Sequence, residues 1–391
     1  MDSKKILIIS HKPPYPKVDG GSIAIAQILE VLLEQGCHVT FLCMKTDKHP
    51  SKNPITNTNL KFKAIYVNTK LKIALALLNM FTKKSYILSR FNQNVFRDAI
   101  KEILKKQTFD IILFESLFTS AYLDTVNELS NAKKLYRAHN IEHHIWFEQS
   151  NQIKNIIKKS YLKIQAERLK NEEIKFWNNI DSILSISEID RSHIINQCTT
   201  PTHTLSLYLE KRHLQHKDQS TNIDFFHLGS MDWLPNQDGV NWILKDVFPK
   251  VKQTEKSAEI HLAGRAMPNK LKSHIQFGYY NYGEVSNSLD FMSKHKVMLV
   301  PLFTGSGIRV KILEGMSLGK CIISTSIGVR GINCTNNKNI LIANTENEFI
   351  EAMLYCIQNP DMVDKIGNEA KKYACKNFSK EHITNELKKI I

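Results

Sequence analysis

Apolar residues along this chain fall into short, nearly unbroken blocks separated by stretches with helical spacing. Lys5 to Ser10 is such a block, and it runs into the Pro-rich Lys12-Pro-Pro-Tyr-Pro16. Gly20-Gly21 then precede a stretch from about Ser22 to Gln35 with Ile25, Ile28, Leu29 and Leu32 on one face; Gly36 closes it, and His38 to Met44 is a second block. Short blocks that are apolar on both faces suit strands buried between two helix layers, and a period of three to four residues suits the helices that cover them. Strand, glycine loop, helix, strand is the opening of a doubly wound sheet. The alternation continues with strands at Leu60 to Val67, Phe109 to Phe114, Lys133 to Arg137 and Ser182 to Ser187, and with helices over 70–88, 94–106 and 150–178. From Thr199 through Ser220 the chain is polar and loses periodicity, as a linker does. It then resumes with strands ending at Gly229, Ala263, Leu302, Ser324 and Ala343, and with helices at 238–248, 346–358, 362–378 and 380–391. The pattern predicts an α/β chain of two Rossmann-like, doubly wound parallel-sheet domains, residues 1–205 and 221–375, joined by a linker over 206–220.

Residues 297–324 carry the densest chemistry. An apolar strand, Val297 to Leu302, leads into Gly305-Ser306-Gly307, where backbone amides converge with little side chain in the way. A helix is expected to start near Ile308, with Arg309 and Lys311 in its first turn and Glu314 one turn on. Cations in a first turn oppose the helix dipole, so they need another reason to be there; neutralising a phosphate or diphosphate is one. Glu314 is an acceptor suited to ribose hydroxyls. On loop chemistry alone, an ordinary βαβ unit with a tight glycine turn is the competing account.

Pro301…Gly305-Ser306-Gly307-Ile308-Arg309-Val310-Lys311-Ile312-Leu313-Glu314-Gly315-Met316 resembles the nucleotide-sugar signature of family 4 glycosyltransferases, the glycosyl transferases group 1, of the GT-B fold. In that family a Glu-x7-Glu pair flanks the same helix start. The second Glu matches Glu314, which implies a ribose contact. The first falls at Ser306, where this chain departs from the pattern, so donor identity stays open. A subset of the family has Gly-Ser-Gly here followed by a basic pair, and this chain resembles that subset. The run Asp224 to Gly239 resembles the start of the family's donor domain, with Gly229 at the strand end. Ser230 to Asn236 lacks the basic residue that many members carry there. Phosphate charge is then left to Arg309 and Lys311, with Arg265 as auxiliary. The resemblance also implies main-chain contact to the nucleotide base around Val285 and close approach to donor phosphate or acceptor at Gly20 and Gly21, where a plain tight turn is the alternative.

His139, in Arg137-Ala-His-Asn-Ile-Glu-His-His144, follows a strand and so stands where open α/β sheets bind ligands. The resemblance implies contact with the donor sugar and reacting phosphate; a structural histidine remains an alternative. His139 and His143 also sit at metal-ligand spacing, without His-Glu-x-x-His or a visible third ligand.

Composition adds bounds. The chain has 391 residues, no apolar run near the roughly 20 of a membrane span, and seven scattered cysteines without Cys-x-x-Cys, which fits reduced thiols in a cytoplasmic protein. Met1 to Ser10 reads as a first strand rather than a leader. The net charge is +15, and residues 51–106 hold 12 basic against 2 acidic side chains, a local +10. A solvated face is the plain account, and an anionic bilayer or phosphate-bearing acceptor the sharper one. The apolar, lysine-flanked segment 70–88 could lie on such a bilayer or pack on the sheet. The dinucleotide fingerprint is absent, which argues against a dehydrogenase, and no interleaved aromatic and basic motif points to nucleic acid.

The resemblance therefore implies a hexosyltransferase-type enzyme that moves a sugar from a nucleotide-sugar donor to a glycan, lipid-linked or small-molecule hydroxyl in bacterial-type surface glycan synthesis. It implies retention of configuration, no metal or other cofactor, two domains facing a cleft, and a C-terminal helix over 376–391 that returns to the first domain. No Asp-x-Asp pair is present to hold a divalent ion. The expected location is cytoplasmic, peripheral on the inner membrane face. The competing class is a catalytically inactive nucleotide-sugar or glycan-binding module on the same fold, on the strength of Ser306 and the missing cation after Gly229.

Overall fold

The computed structural model describes residues 3–17, 19–51, 55–210, 212–213, 219–220, 222–268, 271, 273–305 and 307–391. The chain divides into two compact units, Met1–Leu207 with Glu386–Ile391, and Tyr208–Asn385. Positions 211 and 214–218 of the expected linker lie outside the described residues.

In the first unit the elements are β1 (Lys5–Ser10), α1 (Gly20–Glu34), β2 (His38–Lys45), β3 (Leu60–Tyr66), α2 (Ile73–Asn79), α3 (Tyr86–Ser89), α4 (Asn94–Lys106), β4 (Ile111–Glu115), α5 (Leu123–Leu129), β5 (Lys133–Ala138), α6 (Glu142–Gln152), α7 (Ile156–Trp177), β6 (Ser182–Ser185), α8 (Glu188–Ile195) and β7 (Thr202–Thr204). The strands form one sheet in the order β3-β2-β1-β4-β5-β6-β7, every pair parallel. Alternate residues serve opposite faces: Leu7 and Ile9 of β1 share a core with Ile112 and Phe114 of β4, Phe96 and Ile100 of α4, and Phe176 and Trp177 of α7. Strand order reverses between β1 and β4, and the crevice at that reversal is where such sheets bind ligands.

Three helix expectations change in this unit. The stretch 150–178 is two helices, because Ile153 is extended and Asn155 caps α7 by accepting from the Lys158 amide at 3.0 Å. The stretch 70–88 is also broken. Arg168 donates to the main-chain oxygens of Asn79 and Met80, both at 2.9 Å, ending α2, and Ser85 caps α3. Helix α1 begins at Gly20 rather than Ser22, because Asp19 and Ser22 form a reciprocal capping box.

Helix α2 buries only Ala76 and Asn79. Its apolar side chains do not pack on the sheet: Ile73 is 71 % exposed and Phe81, just beyond the helix, 91 %. Ile156 and Ile157, opening α7, are similarly exposed. Residues 70–84 and 154–164 together hold eight lysines and no acid. The two stretches are linked where Gln165 and Arg168 of α7 donate to Asn79 at the end of α2. Among the described residues no helix is long and apolar enough to cross a membrane.

The second unit contains β8 (Phe225–Leu228), α9 (Leu234–Trp242), α10 (Phe248–Thr254), β9 (Ile260–Ala263), β10 (Tyr279–Asn281), α11 (Ser288–Ser293), β11 (Val297–Val300), α12 (Val310–Ser317), β12 (Cys321–Ser324), β13 (Leu341–Ile342), α13 (Glu346–Gln358), α14 (Pro360–Asn377) and α15 (Lys380–Ile390). Its sheet runs β10-β9-β8-β11-β12-β13, again all parallel, so the reversal falls between β8 and β11. Helix α9 starts earlier than the expected 238, at Leu234, with Pro235 in its first turn where a missing N–H costs nothing. The C-terminal helix α15 straddles the division of the chain, and within the first unit Lys133 Nζ donates to the Ile390 oxygen at 2.7 Å.

Candidate active site

Each sheet gathers its chemistry at the carboxyl ends of the strands beside its order reversal. In the first unit these are β1, β4 and β5. Register places Ser10 beside Glu115, and Glu115 beside Arg137. The Glu115 Oε2 lies 2.5 Å from His139 Nε2, and its Oε1 lies 3.7 Å from Arg137 Nη1. Arg137 Nη1 also donates to the Ala24 oxygen at 2.7 Å. All three side chains are buried. Burial by itself would raise the Glu115 carboxyl, but Arg137 and His139 outweigh it and hold the group below the usual range. Burial lowers the His139 ring against the pull of Glu115. A carboxylate on Nε2 assigns that nitrogen the proton and leaves Nδ1 as acceptor. Ser116, which follows Glu115, has φ 78°, uncommon for a residue with a side chain, and its amide donates to the Arg137 oxygen.

Lys12 completes this cluster. It is buried, and its Nζ lies 2.7 Å from Asp19 Oδ1. Burial opposes ionisation of Asp19, yet Lys12 and the Ser22 amide bring it down to about 2. A Cβ on Gly21 would stand 2.6 Å from Lys12 Nζ, so Gly21 leaves room for that ammonium, and Gly20 opens α1 at the exposed surface. His11 Nδ1 lies 3.3 Å from the Glu115 oxygen, and burial first, then Lys12, keeps the ring well below its usual pKa.

His143 does not join His139. Its Nδ1 lies 2.7 Å from Glu173 Oε2, and the Glu142 and His143 amides donate to the same carboxylate at 3.0 Å each. Burial pushes Glu142 and Glu173 up to about 8.

In the second unit, β8 ends at Gly229 and β9 runs into Gly264. A Cβ on Gly264 would stand 1.8 Å from the Gly229 oxygen, so the two strand ends meet backbone to backbone. Arg265 Nη2 is 2.9 Å from Asp232 Oδ2, both half-exposed. Helix α12 starts at Val310, later than expected. Arg309 is therefore its cap residue, without a side-chain cap, and Gly307 (φ 79°) and Ile308 lie in the loop before it. Arg309 lies over the Trp233 ring at 5.1 Å, and a Cβ on Gly305 would collide with both. The Lys311 side chain is partly buried, and its ammonium donates to Asn236 Oδ1 at 3.0 Å. Burial first, then Arg309, lowers its pKa to about 7. Among the described residues no carboxylate lies within ion-pair distance of Lys311. Glu314 Oε1 is 3.3 Å from His213 Nε2, and Val285 packs against the core beneath α12. Ser306 lies outside the described residues.

The structure thus gathers Arg309, Lys311 and Gly229 at one reversal and places His139 at the other. Sequence reasoning missed Lys12, Arg137, Trp233, Asn236 and His213 and gave Glu115 no partner. The signal for two of them was present: Trp233 and Asn236 lie in the segment noted only for lacking a cation, and they are what the cations contact.

Residues 222–359 match the family model described as glycosyl transferases group 1. The chain is 23% identical, over 98% of both chains, to an uncharacterized 44.6 kDa protein in the cps region of Klebsiella pneumoniae. Its fold is similar to sucrose-phosphate synthase from Thermosynechococcus elongatus (TM-score 0.71, 14% identity, 99% of this chain and 98% of that one). It is also similar to Anabaena HepE in complex with UDP (TM-score 0.66, 11% identity, 99% of both chains). Residues 222–359 therefore carry the match to the glycosyl transferases group 1, and the whole chain shares the two-domain GT-B fold of these solved structures.

Proposed function

We propose that the chain transfers a hexosyl group from a nucleoside-diphosphate sugar to an acceptor hydroxyl, with retention and without a metal, in polysaccharide assembly. The observation that carries this is Lys311: a partly buried ammonium on a neutral amide, beside Arg309, at the strand-order reversal of the second unit. As the bond from the sugar C1 to the diphosphate oxygen breaks, negative charge grows on the leaving group. Arg309, Lys311 and the loop amides of Gly307 and Ile308 stabilise it, and one pre-organised donor of this kind is typically worth about 3 kcal/mol in the transition state. The acceptor oxygen bonds to C1 and its proton passes to the leaving diphosphate. Glu314 takes the ribose hydroxyls, and His139 orients the sugar through its free acceptor nitrogen. The UDP held by HepE and the cps-region location of the Klebsiella relative support this substrate class.

Thermal shift against nucleoside diphosphates, with and without EDTA, tests the reading. A ligand at about 100 Kd adds roughly 2.7 kcal/mol of stability. One diphosphate that stabilises the chain equally in EDTA is the expected result. Stabilisation by none overturns it, and stabilisation that EDTA removes overturns metal independence.

The acceptor is proposed to reside at an anionic bilayer on its cytoplasmic side. The surface of exposed apolar residues and eight lysines over 70–84 and 154–164 supports this, because apolar side chains ringed by cations match an anionic lipid face. Sedimentation with anionic vesicles should fall with salt and be lost in Phe81→Glu/Ile157→Glu. Equal binding to neutral vesicles, or self-association through this face, counts against it.

A further inference from the structure

Among the described residues, two histidine clusters lie apart from the strand-end sites. One, Asp224, His261 and His295, is already closed by its own ion pair. Asp224 Oδ2 lies 2.5 Å from His295 Nδ1, and Oδ1 accepts the Lys296 amide at 2.7 Å.

The other is built differently. His143 and His144 come from α6 and His193 from α8, and one ring nitrogen of each lies within 4.8 Å of the others. The His144 and His193 rings are 4.1 Å apart between centres, and those of His143 and His144 4.6 Å. The three members are all imidazoles. Behind them stands Glu173, fully buried, 2.7 Å from His143 Nδ1. With Glu173 ionised, the form a bound cation favours, that contact places the proton on Nδ1 and leaves the Nε2 electron pair to bind. A buried carboxylate on the far nitrogen is the usual support of a metal-ligating histidine, fixing both its tautomer and its ring plane.

We propose that His143, His144 and His193 bind a divalent transition-metal cation of the zinc type, with Glu173 as the positioning residue for His143. Three imidazoles suit zinc, nickel or copper and do not suit magnesium or calcium, which take oxygen ligands. Metal–nitrogen bonds of about 2.1 Å put tetrahedral ligands roughly 3.4 Å apart, so the rings close on a cation with side-chain shifts of about an ångström. A water completes the fourth position. Asp190 and Glu167 supply negative charge around the cluster, and Lys170 opposes it. The Gln197 amide nitrogen abuts His193 Nε2, so His193 ligates through Nδ1 or displaces that amide. The cation ties α6, which follows β5 and the His139 loop, to α8, which follows β6. It is a clasp within the first unit, distinct from the cations at Arg309 and Lys311, and it does not rest on the proposed reaction.

Cobalt is the probe, because a tetrahedral Co²⁺ site with imidazole ligands absorbs in the visible. The metal-free full chain is titrated with Co²⁺ and, separately, with Zn²⁺ by calorimetry. The expected result is one equivalent bound with visible d–d bands. His144→Ala and His193→Ala, at partly exposed positions, should each weaken binding at least about tenfold while far-ultraviolet circular dichroism stays native, and Glu173→Gln should weaken it roughly ten- to a hundredfold. His261→Ala should leave it unchanged. Absence of d–d bands at stoichiometric cobalt overturns the proposal, as does binding that survives in both His144→Ala and His193→Ala or is lost in His261→Ala.

Discussion

The two strand-end clusters occupy equivalent places in equivalent sheets and are charged in opposite ways. In the first unit each cation is met at once, Arg137 by Glu115 and Lys12 by Asp19, and Glu115 also holds the His139 ring. In the second unit Lys311 rests on the neutral Asn236 amide and Arg309 lies on the Trp233 ring, while Arg265 has an acid, Asp232, at ion-pair distance. Burying an ammonium without an acid is costly, and Lys311 shows it in a pKa brought down to about 7. A folded chain keeps such a group where a ligand supplies the missing charge. The first cluster is a rigid, neutralised network suited to orienting; the second is an incomplete one suited to capturing a dianion.

The largest expected effect follows from that asymmetry. Lys311→Met or Arg309→Ala should lower turnover by about 10²–10³-fold and weaken nucleoside diphosphate binding by at least about tenfold, with the unfolding midpoint unchanged or raised because an uncompensated buried charge is gone. Steady-state kinetics and calorimetry read this, and wild-type affinity in Lys311→Met would erase the contrast between the units.

A smaller effect is expected at the first cluster. Glu115→Gln should lower turnover by roughly tenfold with diphosphate affinity intact, a split in kcat against binding that a merely destabilised chain would not give. His139→Ala should do the same, and the double variant should be no worse than the more damaging single one, since the two residues act as a unit. Additive losses would mean that Glu115 acts apart from His139.

The smallest signal is a proton. With a free-chain pKa of about 7, Lys311 is largely neutral at pH 8 and charged at pH 5.5. A bound diphosphate favours the charged form and raises that pKa. Binding at pH 8 should therefore take up close to one proton, and binding at pH 5.5 should take up none through this group. Calorimetry in buffers of different ionisation enthalpy measures it. The uptake should vanish in Lys311→Met, and equal uptake at both pH values would assign the proton to another group.

How much of this was readable beforehand differs by level. The strand blocks and glycine loops are local, and the chain has enough of them, in strict alternation with helices, to dictate two doubly wound parallel sheets. The signature from Gly305 to Glu314 was equally plain, because it is contiguous. Helix interruptions were less visible. Nothing in the spacing of 150–178 marks Ile153 to Asn155, where a side-chain cap outcompetes helix continuation, and nothing within 70–88 shows that Arg168, far along the chain, will take the last carbonyls of α2. The exposed face of α2 was likewise undecided, since an apolar helix reads the same whether it covers a sheet or faces outward.

By itself, then, the sequence determined the fold class, the position of the strand ends and the residue types delivered there, because each follows from local periodicity and backbone preference. The tertiary structure decided which charges are neutralised. Glu115 and His139 are 24 residues apart, Lys311 and Asn236 75, and His143 and Glu173 30. Partnership across such gaps is set by strand order and helix packing, and it is partnership, through burial and Coulomb interaction over a few ångströms, that sets His139 on its carboxylate, Lys311 on its neutral amide and the three clustered histidines apart from the same residue types elsewhere in the chain.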